Sequence, residues 1–310
     1  MISIKQITYA LAVEKTLHFK KAADLCNVSQ SALSTAINEM EKQLGLMIFE
    51  RNNKQVLVTS NGELILERAK RVKAELDGLM QVAELDKKPF TNPLTIGVIP
   101  TIGPYLLPKV LPEVRKQHPN LKLNIKEDQS HVLVEQVRSG EIDAAIMALP
   151  YAIDGLMSFE FWHEDFYWVC HKDECPKKLE EITSEELEID QLMLLKDGHC
   201  LKDHALAACQ FKERKSDSGF DSASLYTLIQ MVAGKLGTTL VPHMAIDQLV
   251  TNESELSAIH LNEPGPHRTI AFVIRPNFVR TKELMLLQDI FTQELKAKCY
   301  DSKNALLSSL

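Results

Sequence analysis

No apolar run in this 310-residue sequence approaches the roughly 18–20 residues that a bilayer-crossing helix requires; the longest are the size of strands. The opening Met1-Ile2-Ser3-Ile4-Lys5 carries no charged leader followed by an apolar core and cleavage site, so no export and a cytoplasmic location are expected. Cysteine is sparse: the six, at 26, 170, 175, 200, 209 and 299, are too few for a secreted disulfide scaffold. Reduced thiols are the default in the cytoplasm, and any disulfide there is expected to be a switch. Runs of like charge and biased tracts are absent, which argues against long disorder. The ten histidines form no metal-ligand repeat, and neither a phosphate loop nor a dinucleotide fingerprint occurs, so no metal and no cofactor are expected. What remains, 45% apolar and 25% charged, is a globular chain long enough for two or three folding units.

A net charge of −7 by itself speaks against a nucleic-acid partner. The charge is uneven, however: residues 1–60 hold seven Lys/Arg against five Asp/Glu, a local +2, which leaves −9 on the other 250 residues. A weakly basic head on an acidic body suggests that only the head meets a polyanion.

The head reads as a helix-turn-helix with a wing. Ile4, Ile7 and Leu11 recur at helical spacing over 3–14, as do Phe19, Ala22, Ala23 and Cys26 over 19–26. Asn27-Val28-Ser29 interrupts the pattern, with Ser29 suited to cap a third helix whose inner stripe is Leu33, Ala36, Ile37, Met40 and Leu44 and whose terminator is Gly45. That leaves Ser29, Gln30, Ser31, Ser34, Thr35 and Asn38 facing outward. Small, polar, uncharged side chains let a helix approach base edges in a major groove, with Lys20, Lys21 and Arg51 available for phosphates. An ordinary three-helix domain with a polar face is the alternative. Residues 49–59 add a hairpin whose Asn52-Asn53-Lys54 tip would form a basic wing. The runs Leu17-His18-Phe19-Lys20-Lys21-Ala22-Ala23, Val28-Ser29-Gln30-Ser31-Ala32-Leu33-Ser34, Leu44-Gly45, Phe49-Glu50-Arg51 and Thr59-Ser60-Asn61-Gly62 resemble the N-terminal domain of LysR-type bacterial transcription regulators.

After the head, Ser60 and Glu63 have capping-box spacing, and Ile65, Ala69, Val72, Leu76, Leu79 and Ala83 recur at steps of four and three. Such a seam buries best against a second copy, predicting a dimerising linker helix over 61–86; packing onto its own head is the alternative. Two heads on a twofold axis would read a roughly palindromic site in double-stranded DNA. Resemblance to LysR-type proteins further implies a dimer of dimers, with RNA polymerase as a partner. Residues 87–93, marked by Pro89 and Pro93, read as a hinge.

From Leu94 strands and helices alternate: extended at 94–99, helical at 103–118, extended at 121–127, helical at 131–139 and extended at 142–147. Further strands are expected at 166–171, 192–195, 238–241 and 269–275, and helices at 201–208, 224–234 and 280–299. Crossings near 165 and 267 would divide a sensor domain of 94–303 into one lobe of 94–165 with 268–303 and another of 166–267. This resembles the two-lobed α/β periplasmic-binding-protein-like (type 2) domain of LysR-type regulators, making the whole an α+β multidomain chain. Ligands of such folds sit between lobes, where Thr101, Gly103 and Ser130 fall.

Cys200 stands just after a turn and at a helix start, and with His199 and Lys202 beside it a depressed thiol pKa is expected. If 201–208 is helical, Cys209 lies about 13–14 Å away, whereas a disulfide permits about 7 Å between Cα atoms. Joining the two requires that helix to unwind. Hydrogen peroxide would oxidise Cys200 to the sulfenic acid and Cys209 would resolve it, shifting surfaces that set dimer geometry. Leu195-Lys196-Asp197-Gly198-His199-Cys200-Leu201, Ala223-Ser224-Leu225 and Gly237-Thr238-Thr239-Leu240-Val241-Pro242 resemble peroxide-sensing members of that family. This implies Cys200 as the peroxidatic and Cys209 as the resolving cysteine, with His199 as thiolate neighbour and Thr101, Ser130 and Arg268 around the peroxide. Ser130 stands where relatives often have Thr, and Gly219 where some have His. The alternatives are a metabolite sensor with incidental, buried cysteines and, more remotely, a thiol peroxidase; a non-enzymatic regulator is the expectation. Cys170 and Cys175 read as strand-end structural thiols rather than half of a zinc site. Cys26 and Cys299 read as inert.

Overall fold

A computed structural model describes residues 1–51, 56–82, 89–176, 179–196, 198–211, 224–251 and 254–307, with backbone alone for 80–82 and 299–307. The expected wing tip at 52–54, Ala83, the hinge up to Lys88, Gly219 and the Cys299 side chain lie outside what is described. The chain forms two compact units, the first holding residues 1–86.

In that unit, α1 (Ile4–Thr16) opens on a capping box: the Gln6 amide donates to Ser3 Oγ at 3.3 Å, and the Ser3 amide donates to Gln6 Oε1 at 2.7 Å. His18 Nδ1 caps α2 (Phe19–Leu25), accepting from Lys21 N, and Cys26 ends it half-buried. Ser29 Oγ accepts from Ala32 N at 3.2 Å to start α3 (Gln30–Leu44), which Gly45 closes in the left-handed conformation, both as expected. Ala10, Val13, Phe19, Ala22, Ala23, Leu33, Ile37 and Met40 form the core between these helices. The wing strands β1 (Phe49–Arg51) and β2 (Val56–Val58) pair antiparallel.

Two local details differ from the sequence reading. Thr59, not Ser60, caps α4 (Ser60–Val82): its Oγ1 accepts from Gly62 N at 2.8 Å and donates to Met47 O, anchoring the helix to the wing. The early seam positions also turn inward, because α4 packs along α1. Leu66 and Ala69 are buried and Ile65 leans on the head's core, while Val72 and Leu79 remain exposed and Leu76 is half-buried. Only the second half of the stripe is thus left for another molecule. Gly62 sits where a Cβ would lie 2.2 Å from the Ile48 carbonyl oxygen, which already accepts from Thr59 N. A Gly62→Ala chain must shift backbone to relieve that contact, so the head is expected to lose about 1–3 kcal/mol, read as a lower unfolding midpoint for the head.

The second unit contains two five-stranded mixed sheets. One has the order β4-β3-β5-β12-β6 and comprises β3 (Leu94–Val98), β4 (Leu123–Glu127), β5 (Ala144–Leu149), β6 (Met157–Glu164) and β12 (Arg268–Ile274). Its helices are α5 (Gly103–Gln117), α6 (Ser130–Ser139) and α10 (Thr281–Leu307). The other, ordered β8-β11-β7-β10-β9, comprises β7 (Phe166–His171), β8 (Glu181–Ile182), β9 (Leu192–Met193), β10 (Thr238–Pro242) and β11 (Leu256–Leu261), with α7 (Cys200–Ala208), α8 (Leu225–Ala233) and α9 (His243–Leu249). The chain passes from the first sheet to the second at Asp165 and returns between Leu261 and Arg268. The α/β alternation agrees with the sequence reading. β6, β8, β11 and α9 were not anticipated: β8 has two residues and α9 seven, too short for a period to register, and β6 and β11 mix polar residues into their alternation.

Candidate functional site

The two crossings set the chemistry. β6 ends at Glu164, β12 begins at Arg268, and the two residues are paired antiparallel across the strands. Arg268 is 1% exposed and its Nε donates to Glu164 Oε1 at 2.7 Å. The other Glu164 oxygen, Oε2, accepts from Met244 N at 2.7 Å. A guanidinium so held is a fixed positive charge. Its remaining nitrogens donate to Thr101, one to Oγ1 at 3.3 Å and one to the carbonyl oxygen at 3.2 Å. Thr101 Oγ1 accepts in that contact, and its own hydrogen remains available to a further acceptor.

Ile99, Pro100, Thr101, Gln129, Ser130, Gly198, His199 and Cys200 line one narrow crevice. Thr101 follows the end of β3, Ser130 is the first residue of α6 and Cys200 the first of α7, so one strand end and two helix starts converge. Gly198, at φ +94, makes the turn that delivers His199 and Cys200, in a backbone region that side chains disfavour; a Cβ there would also meet Gln129 Oε1 at 2.9 Å. The sequence-predicted residues Thr101, Ser130, His199 and Cys200 therefore meet in one place, with Arg268 behind Thr101.

The electrostatics differ from expectation. Cys200, at the helix start after the turn, is buried, 3% exposed. Burial raises its pKa above the ordinary value of 9.0, and burial outweighs the hydrogen bond with Ser130 and the charge of Arg268, both of which pull it down, while Asp203 adds a small upward push. His199 offers no cation: burial, then the nearby Lys196, lowers its pKa, leaving a neutral ring at pH 7. The positive charge near the sulfur is Arg268, 68 residues further along the sequence.

Cys209 caps the other end of α7, its N–H donating to Ala205 O at 3.2 Å. Burial, followed by the charge of Glu263, pushes its thiol up to about 12. Cys200 and Cys209 are both free thiols. With α7 continuous between them, nine residues of helical rise keep their Cα atoms roughly 13–14 Å apart.

Residues the sequence did not single out complete the surroundings. Glu164 is one; it ends the mixed segment Phe159-Glu160-Phe161-Trp162-His163-Glu164, where the other carboxylate and the imidazole mask it. His204, one turn after Cys200 on α7, is 2% exposed. Its Nε2 lies 2.8 Å from Pro150 O and so carries the proton, leaving Nδ1 a buried acceptor with no hydrogen-bond partner among the described residues. Burial lowers the His204 pKa, and Arg268 is among its charged neighbours. Burial raises the pKa of Tyr151, which feels the charges of Cys200 and Asp203.

Cys170 and Cys175, expected as reduced strand-end thiols, are instead joined in a disulfide, with Cα atoms 5.8 Å apart. Cys170 is in β7 and Cys175 closes the turn that follows, so adjacency along the chain brings them together. Among the described residues no group of three or more His, Cys, Asp or Glu could hold a metal ion, and no helix is long and apolar enough to cross a membrane.

In the head, Lys20, Lys21, Ser29, Gln30, Ser31, Thr35 and Asn38 are exposed and Ser34 is half-buried. Arg51 is otherwise engaged. Its guanidinium donates to Ser34 Oγ at 3.0 Å and to the buried Glu41 at 3.3 Å, and lies 4.2 Å over the Phe19 ring. Glu41 Oε1 in turn accepts from Ile48 N and Phe49 N. Arg51 thus braces the wing against α3.

Residues 4–63 match the family described as bacterial regulatory helix-turn-helix protein, lysR family, and residues 87–296 match the LysR substrate binding domain. The HTH-type transcriptional regulator EstR of Acinetobacter baylyi is 36% identical over 288 residues, 93% of this chain and 95% of that protein. The hydrogen peroxide-inducible genes activator of Dickeya chrysanthemi is 35% identical over 275 residues, 89% of this chain and 90% of that protein. Among solved structures, full-length OxyR of Pseudomonas aeruginosa with a cysteine-to-aspartate substitution superposes with a TM-score of 0.79 at 32% identity, covering 94% of this chain and 98% of that one.

Proposed function

The chain belongs to the lysR family of bacterial helix-turn-helix regulators, and from that premise we propose that it is a transcription regulator that senses hydrogen peroxide through Cys200 and Cys209. The observation that carries this reading is the pair of free thiols at opposite ends of α7, the first of them in a crevice with Thr101, Ser130 and a fixed arginine. The similarity to a hydrogen peroxide-inducible genes activator and to OxyR supports it.

The Cys200 thiolate attacks one peroxide oxygen, the O–O bond breaks, and hydroxide leaves to be protonated to water, giving the sulfenic acid. Ser130 supports the thiolate by its hydrogen bond, and the Thr101 hydroxyl together with Arg268 stabilises negative charge on the departing oxygen. Cys209, as thiolate, then attacks the sulfenic sulfur and expels the second oxygen as water once protonated. Two thiols and one peroxide become one disulfide and two waters. Since the helical span far exceeds the roughly 7 Å limit, bond formation costs α7 its helix. The burial of Cys209 keeps the reduced form intact until Cys200 is oxidised.

In this reading residues 1–60 are the DNA-binding domain, 61–86 the linker helix, 87–93 the hinge and 94–303 the sensor. The α3 face from Ser29 to Asn38 reads base edges of a roughly palindromic operator while Lys20 and Lys21 hold phosphates. Two copies join through Val72, Leu76 and Leu79, and two such dimers form the tetramer that works with RNA polymerase in the cytoplasm.

Thiol mapping tests the proposal. After stoichiometric peroxide, the native full-length protein is expected to yield a Cys200–Cys209 disulfide by mass spectrometry, alongside an altered DNA footprint on the same sample. Absence of that disulfide with an unchanged footprint overturns it. The similarity to EstR, whose name carries no peroxide, favours a second reading, a small metabolite bound between the lobes; a footprint that responds to metabolites with all thiols unmodified decides for it.

The raised Cys200 pKa fixes the sign of a pH effect. The thiolate fraction, and with it the rate of peroxide consumption by Cys200, is expected to rise about tenfold per pH unit from pH 6 to 8, with no plateau below pH 9. Ser130→Ala removes a hydrogen bond that favours the thiolate, so the rate at pH 7 should fall about fivefold, read by stopped-flow with the plateau displaced upward.

A further inference from the structure

We propose that Cys170 and Cys175 constitute a second redox site, a reversible dithiol–disulfide couple that exchanges with low-molecular-weight disulfides and operates independently of Cys200. The fold holds these sulfurs together without help from their bond. Cys170 is fixed in β7, where it pairs with Ser257 of β11. The turn after it is closed by Glu174 N and Cys175 N, which donate to His171 O at 2.9 and 3.0 Å. Asp173 N donates to His171 Nδ1 at 3.2 Å, and the Asp173 carboxylate pairs with Lys235 at 2.7 Å, tying the turn to the segment after α8. The resulting Cα separation, 5.8 Å, is the usual one for a disulfide. Opening and closing the bond therefore asks no rearrangement of the backbone, the opposite of the demand made at α7.

A staple is least useful across so short a loop, because the chain entropy that a cross-link removes grows with the number of residues enclosed. Five positions separate the two cysteines, and hydrogen bonds already close the turn. Accessibility gives the order of events. Cys170 is fully buried whereas Cys175 is half-buried, so Cys175 meets the exchanging disulfide and Cys170 stands behind it. The Cys175 thiolate attacks one sulfur of RSSR, forming a mixed disulfide and releasing one thiolate. The Cys170 thiolate then attacks the Cys175 sulfur and releases the second. In sum, two protein thiols and RSSR give the protein disulfide and two RSH, and the reverse needs only excess RSH. The chain would then register two signals, peroxide at Cys200 and the thiol–disulfide poise of its surroundings at Cys170–Cys175.

The test uses the full-length Cys200→Ser protein, so that a wrong assignment of the peroxide site does not affect the outcome. The protein is equilibrated in mixtures of reduced and oxidised glutathione, quenched in acid, alkylated and mapped by mass spectrometry. The Cys170–Cys175 disulfide is expected to rise from a tenth to nine-tenths over about an eightyfold change in the ratio of oxidised glutathione to the square of reduced glutathione. Native proteolysis should give the same fragments throughout. In the same background Cys170→Ser should trap Cys175 as a glutathione mixed disulfide, and Cys175→Ser should leave Cys170 unmodified. A pair that stays as two thiols, stays bonded under every glutathione mixture, or closes only when Cys200 is present and peroxide is added overturns the proposal.

Discussion

Cys200→Ser is expected to abolish the peroxide response altogether while leaving DNA binding unaltered. A hydroxyl in place of the thiol keeps the volume within the crevice and the first residue of α7, but it is not ionised at neutral pH and forms no disulfide. Cys209, its thiol held up near 12 and buried, has too little thiolate to substitute as the first nucleophile. Reporter transcription before and after peroxide, with a footprint on the same operator, measures both halves of the expectation. Retained induction in the serine protein would remove Cys200 from the mechanism.

The second large effect concerns Glu164. Its carboxylate neutralises Arg268 where both side chains are inaccessible to solvent, and it also accepts from Met244 N. Glu164→Ala strands a guanidinium and a backbone N–H in a dry interior, with an expected cost of about 3–5 kcal/mol in the sensor unit, read as a lower urea midpoint. Removing both charges gives a different result. Glu164→Leu combined with Arg268→Met should recover most of that stability, since a desolvated pair contributes little net against apolar residues of similar size. Peroxide consumption by Cys200 should nonetheless stay slow in the double variant, because the charge that favours the thiolate and supports Thr101 is gone. A double variant that is stable and also reacts at the parental rate would show that Arg268 serves folding alone.

Legibility in the sequence followed the range of the interaction. The Ser29 cap, the Gly45 terminator and the nine-residue helix between the two switch cysteines depend on neighbours within a few turns, and each stands where the residue pattern put it. That Thr101, Ser130, His199 and Cys200 share one crevice was legible because each begins or precedes a helix in an α/β alternation whose strand ends converge. Glu164 and His204 were not, since nothing near either in the chain marks a carboxylate that must neutralise Arg268 across a strand pair or an imidazole that must reach the carbonyl of Pro150. The linker stripe shows the same limit in reverse: its period was correct, yet Ile65 and Ala69 found their partner in α1 of the same chain, which period alone does not specify.

The amino-acid order by itself determined most of the helices, the Ser29 cap, the Gly45 terminator and the separation that keeps Cys200 from Cys209, because dihedral preference, capping and rise per residue act between near neighbours. Tertiary structure alone decided the charge state at the switch. Dipole and local charges pointed to an acidic Cys200 and a helpful His199, but desolvation depends on what the rest of the fold places around a group, and it reversed both expectations. The compensating cation came from Arg268, brought to the crevice only because the chain returns to its first sheet at that residue.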